Sequence, residues 1–134
     1  MLLIFVLSVS ALTGCAPRGD ARASRPAVQR DIESYAIASC LAQQTNEYVK
    51  DQGDAWASVI VQRMKGDFDA LAEISEQVKR ESAQDKIPMT RDESNPMRSK
   101  ALPVMHCGEL IDRPAVRAAI QKAVVALRPS YAQE

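Results

Sequence analysis

The sequence predicts a small all-α domain, a bundle of about five helices with one long charged loop between helices three and four. Three observations lead there. From Asp31 onward apolar residues recur at three- and four-residue spacing, which gathers them on one face of a helix. No stretch alternates apolar and polar residues over strand length. The helical period breaks at glycines, prolines and cap residues, which is where helices start and stop. With 134 residues the chain has room for one hydrophobic core.

Helix one is expected from Asp31, read as its N-cap, to about Gln44, with Ile32, Tyr35, Ala36, Ala38, Ser39 and Leu41 close to one side. Helix two covers about Asn46 to Lys65, with a possible interruption near Gly53. Its buried candidates are Tyr48, Val49, Trp56, Val59, Ile60 and Met64, and Gly66 ends it. Trp56, at helical spacing with Val59 and Ile60, reads as core rather than as part of a ligand pocket. Asp67 caps helix three, where Phe68, Leu71, Ile74, Ser75 and Val78 face inward and Glu73, Glu76, Lys79, Arg80 and Glu81 face out.

Residues 85–100, DKIPMTRDESNPMRSK, break the period with two prolines and seven charged residues. A loop of this length in a compact domain is either functional or disordered. Helix four follows from about Leu102 to Leu110, and helix five starts at Pro114 with Val116, Ile120, Ala123, Val124 and Leu127 inside. Pro129 is expected to close it.

The ends of the chain are unlike its middle. Residues 1–14, MLLIFVLSVSALTG, carry no charge and are shorter than the ~20 residues that a membrane span needs. They read as a signal-peptide apolar region, and the missing basic start points either to a translation start a few codons upstream, the favoured reading, or to a signal weak at its beginning. Leu12, Thr13, Gly14 and Cys15 resemble the bacterial lipobox, in which the cysteine thiol receives a diacylglycerol. On that reading Cys15 is the lipidated mature N-terminus, and Ala16 after it points to the outer membrane. Without a working lipobox the protein would be soluble in the periplasm. Residues 15–30 then form a flexible tether with four Arg against one Asp, and residues 31–134 form the folded domain.

Charge and chemistry narrow the function. The 17 basic and 17 acidic residues balance, so the chain lacks the basic surplus of a nucleic-acid binder. Once Cys15 is lipidated, Cys40 and Cys107 remain, and an exported chain with an even pair is expected to bridge them rather than keep two buried thiols. His106 beside Cys107 is no nucleophile and base, because helix neighbours point about 100° apart. With a single histidine, no metal site is expected. The carboxylates Asp67, Asp69 and Glu73 read as helix-start residues, and Asp92 with Glu93 as part of a solvated loop. Phosphate-cradling and hydrolase motifs are absent. The expectation is a protein that is not an enzyme and carries no cofactor.

Three segments in combination, Tyr35-Ala36-Ile37-Ala38-Ser39-Cys40-Leu41-Ala42, Gly53-Asp54-Ala55-Trp56 and Cys107-Gly108-Glu109-Leu110-Ile111-Asp112, resemble the type VI secretion amidase immunity family over about residues 31–125. Members of that family are small helical periplasmic proteins that protect a bacterium from an injected peptidoglycan amidase, a cysteine enzyme. They occupy its catalytic groove with a protruding loop, commonly as homodimers. The resemblance implies that the loop of residues 87–100 is the inserted element and that Cys40 and Cys107 match the family's cysteine pair; it gives no individual contacts, and within the loop the residue types, charges of both signs and apolar anchors, make Met89, Arg91, Asp92, Glu93, Asn95, Met97 and Arg98 the partner-binding candidates. The resemblance implies a cognate amidase as partner. The lipobox departs from the family, whose members look like soluble proteins. The alternative is a structural or accessory envelope lipoprotein that docks on a larger assembly.

Overall fold

The first helix, α1 (Ala27–Leu41), packs against all four of the others. It can do so because it is thin where it is crowded: Ala36, Ala38 and Ser39 are small and buried, between the larger anchors Val28, Ile32 and Leu41. The computed structural model to which it belongs describes residues 25–132. The expected signal segment, Cys15 and residues 16–24 of the tether lie outside the described residues. Within them, α2 (Glu47–Arg63), α3 (Asp69–Gln84), α4 (Pro103–Leu110) and α5 (Pro114–Tyr131) complete an all-α bundle without strands.

The start of α1 corrects the expected boundary. Pro26, with extended backbone, precedes the helix, and residues 27–30, expected in the tether, form its first turn. Asp31 is not a cap. It is buried inside the helix, where Oδ1 pairs with Arg63 at 2.6 Å and Oδ2 accepts from the Tyr131 hydroxyl at 2.8 Å. The apolar contact made by Val28 is what extends the helix upstream, since a helical turn forms more readily when one side chain is buried.

Helix α2 begins where expected, with the Asn46 side chain accepting from the Val49 N–H at 3.1 Å. It runs through Gly53 without interruption because that glycine is the crossing point with α1. A Cβ at Gly53 would lie 2.3 Å from the Ala42 nitrogen, 2.7 Å from the Leu41 carbonyl carbon and 2.8 Å from the Ala38 oxygen. The two backbones touch there, and only glycine fits. Ile60 and Met64 continue the inner face, but Tyr48, Trp56 and Val59 are exposed, contrary to the core positions expected of them. Among the described residues α2 packs chiefly along α1, which leaves its far side open.

Leu71, Ile74 and Val78 of α3 are buried as expected, whereas Phe68 at its N-cap is about half exposed. Asp67 stands one residue ahead of the cap and accepts from the Asp69 N–H at 3.0 Å. Pro129 does not close α5. The helix continues to Tyr131, because the bond from that hydroxyl to Asp31 holds the final turn in place. The carbonyl that loses its donor belongs to Val125, an exposed residue, where solvent can replace the bond.

Cys40 of α1 and Cys107 of α4 form the expected disulfide, with Cα atoms 5.6 Å apart and both residues fully buried. Gln44 covers it, donating to the Cys40 carbonyl at 3.0 Å and lying 3.6 Å from the Cys107 sulfur.

Two predictions concern these joints. Gly53→Ala should gain about 1 kcal/mol of helix propensity and lose more, since overpacking against atoms that cannot swing aside costs about 1–3 kcal/mol and three backbone atoms are involved. A thermal melt followed by circular dichroism should show a lower midpoint, and a rise would mean that α2 does not cross α1 at this residue. Removing the disulfide in a Cys40→Ala/Cys107→Ala pair, which opens a 67-residue separation, should lower the unfolding free energy by about 4 kcal/mol in the loop-closure model. A denaturant midpoint equal to that of the parent would show that the bond does not form.

Candidate functional site

The charged segment between α3 and α4 is ordered by its own hydrogen bonds. At its base Met89 stands opposite Ala101 in an antiparallel bridge. The Thr90 N–H donates to the Lys100 carbonyl at 2.8 Å, the Lys100 N–H returns to Thr90 Oγ1 at 2.8 Å, and the Leu102 N–H donates to the Pro88 carbonyl at 2.8 Å. Pro88 serves here only as an acceptor, so its missing N–H costs nothing.

The tip folds on two side chains. Asp92 Oδ1 accepts from the Ser94 hydroxyl at 2.6 Å, from the Ser94 N–H at 3.1 Å and from the Asn95 N–H at 3.0 Å. Asn95 Oδ1 then accepts from the Met97 N–H at 3.2 Å and opens a single 3-10 turn, Pro96–Arg98. An Asp followed by Ser and Asn is a turn-forming run, because short polar side chains can take the place of backbone partners. These bonds give the loop a defined shape.

The loop's legs are also tied. Arg113, at the start of α5, pairs with Asp85 and lies 3.8 Å from Glu81, both near the end of α3. His106 of α4 is buried, with Nε2 3.5 Å from the Ser82 hydroxyl of α3. Its neighbour Cys107 is committed to the disulfide, so the His106-Cys107 pair holds no free thiol.

The expected interface residues therefore fall into two sets. Met89 is half exposed in the base, while Arg91, Asp92, Glu93, Asn95, Met97 and Arg98 line the tip. Met97 is 93% exposed, the most open large apolar side chain among the described residues. Arg91, Glu93 and Arg98 are exposed and make no ion pair among the described residues. Residue types alone pointed to the charged side chains and missed Thr90, Ser94 and Lys100, which give the loop its shape. Their only signal is the turn chemistry of the run around Asp92.

Electrostatics favours the ordered tip at neutral pH. The Ser94 hydroxyl, then the Asn95 N–H, hold the Asp92 carboxyl below the usual carboxylate range, against a smaller desolvation. A depressed folded value means that the ionised form is the one bound, so the tip is fully ordered above the ordinary carboxylate value and loses this support as pH falls through the depressed one. The amide resonances of Ser94 and Asn95 should therefore move together on acidification, and Asp92→Ala should give the acid-state positions at neutral pH. Resonances indifferent to both changes would remove Asp92 from the account of the loop's shape.

Compared with family models, curated proteins and solved structures, the chain matches none.

Proposed function

We propose that the chain is an immunity protein of the cell envelope, which binds and inhibits a type VI secreted peptidoglycan amidase by filling that enzyme's catalytic groove with the loop of residues 87–100. The observation that carries this reading is the preformed loop: pinned at its base, turned at its tip by Asp92 and Asn95, and topped by an exposed methionine among charges that are unpaired among the described residues. The likeness of three segments to the amidase immunity family supports it from the sequence side.

Blocking a groove is a matter of shape and requires no chemical step. A loop already ordered in the free protein avoids most of the entropy loss that a floppy segment would suffer on binding. Arg91 and Arg98 against Glu93 present both signs, which select a complementary partner and speed encounter. Burying Met97 in a partner is worth about 1.5–3 kcal/mol. The buried disulfide suits an oxidising compartment such as the periplasm. A lipid on Cys15 would hold the inhibitor at the outer membrane, beside the cell wall that the amidase cuts.

The exposed face of α2 favours a second reading. Tyr48, Trp56 and Val59 lie within about 80° of one another around that helix and are all exposed, as a lipoprotein that docks on a larger assembly would need.

One experiment separates the two. Replacing residues 91–98 by two glycines should abolish protection against the amidase and weaken binding at least 100-fold, with helical circular dichroism retained. Met97→Glu should weaken binding about 10- to 150-fold, and Trp56→Glu should leave it unchanged. Full protection by the shortened loop, with loss of function in Trp56→Glu, would overturn the inhibitor reading in favour of docking.

A further inference from the structure

Methionine normally fills irregular gaps in a core, yet of the described methionines only Met64 does so here, at 7% exposure. Met89, Met97 and Met105 all fall on the charged loop or the first turn of the helix that follows it, and are 55%, 93% and 48% exposed. Folding therefore leaves the thioethers of this one segment in water, where a soluble oxidant can reach them. Cysteine does not compete for that oxidant: Cys40 and Cys107 are fully buried and joined to each other, so the described residues hold no free thiol.

Met97 differs from the other two in its place as well as its exposure. It lies in the 3-10 turn Pro96–Arg98 at the tip, where its backbone N–H donates to Asn95 Oδ1 at 3.2 Å while its side chain is left in solvent. The bonds that shape the loop come from Asp92, Asn95, Thr90 and Lys100, and none of them uses the Met97 sulfur. A change at that sulfur alters what the tip offers to a partner and leaves intact how the tip is held.

We propose that Met97 is an oxidation site through which a peroxide switches off binding by the loop. This role rests on the reading of the loop as the inhibitory element. In the step, a lone pair of the thioether sulfur attacks one oxygen of hydrogen peroxide, the O–O bond breaks and an S–O bond forms. The displaced hydroxide takes the proton left on the transferred oxygen and departs as water, so sulfur loses the two electrons that the peroxide gains. The product, methionine sulfoxide, is polar where the thioether was apolar. A side chain suited to an apolar pocket then carries an oxygen that needs a hydrogen-bond donor, and burying it without one is costly. Arg91, Glu93 and Arg98 keep their charges throughout. Encounter with a partner, which charges steer, is therefore retained while the bound state is weakened. Methionine sulfoxide reductases reverse the change, with a dithiol as reductant that becomes a disulfide while the oxygen leaves as water.

The test treats the full chain with graded doses of hydrogen peroxide and maps its peptides by mass spectrometry. Binding of the same samples to a panel of type VI secreted peptidoglycan amidases is followed by surface plasmon resonance. Met97 should gain oxygen first, Met89 and Met105 later, and Met64 last. At a dose that oxidises Met97, binding should weaken at least about 10-fold, chiefly through faster dissociation, and reductase treatment should restore it. In Met97→Leu, whatever its starting affinity, the same dose should leave affinity where it was, and helical circular dichroism should be the same before and after treatment in both proteins. An untreated parent that binds no amidase of the panel would overturn the inhibitor reading and this switch with it. Where the untreated parent does bind, equal binding by its Met97 sulfoxide form, an equal loss in Met97→Leu, or oxidation of Met97 after any other described methionine would overturn the switch alone.

Discussion

The bond between Cys40 and Cys107 is the constraint on which the rest of the molecule depends. Helix α4 has eight residues, too few to be stable alone, and only His106, Cys107 and Leu110 of them are buried. The disulfide attaches this short helix to α1, which packs against every other helix described. Since α4 is also the second leg of the charged loop, the bond fixes where that leg starts. The ladder from Thr90 to Lys100 and the pairing of Arg113 with Asp85 then set the first leg against it.

At the other end α1 is held by ions. Glu33 is buried, which opposes its ionisation, yet the bond from Gln29 and the bond and charge of Arg117, with Arg25, more than compensate and keep its carboxyl below the ordinary value. Arg117 lies on α5 and reaches Glu33 at 2.7 Å while also pairing with Asp112. Asp31 meets Arg63 of α2 and Tyr131 of α5. The two carboxylates are buried while Arg63 and Arg117 are half and a third exposed, so solvent screens the attraction and each pair adds little net stability, but leaving a buried carboxylate without its partner is costly. They join α1 to α2 through Arg63 and to α5 through Arg117 and Tyr131.

These interactions explain which parts of the structure were legible in the residues. The helices were, because Leu71, Ile74 and Val78 or Val116, Ile120 and Val124 repeat at the helical period whatever lies opposite. The disulfide was legible once Cys15 was set aside as a lipidation site, which leaves Cys40 and Cys107 as a pair. The misses share a cause, which is that they depend on what sits across from a residue. Trp56 is apolar and correctly spaced, but no other described helix packs over that side of α2. Asp31 is a good cap residue that lies inside a helix because Arg63 and Tyr131 converge on it. Gly53 looked like a break and is a contact. In the loop, composition pointed to the right segment but not to its shape, since a turn made by Asp92 and Asn95 depends on backbone N–H groups that every residue carries.

The charges divide according to the same logic. In the bundle the carboxylates of Asp31, Glu33, Glu73, Asp85 and Asp112 are matched to cations on other turns or helices. On the loop, Arg91, Glu93 and Arg98 are left unmatched among the described residues while the backbone beneath them is tightly bonded. An exposed pair would have added only about 0–1 kcal/mol to stability, so folding gains little from matching them. A partner gains more, because a charge desolvated against its complement discriminates by several kcal/mol against a like-charged surface. A rigid backbone carrying uncommitted charges is therefore better suited to selecting a partner than to stabilising its own fold, and that is the physical ground on which the proposed inhibition rests.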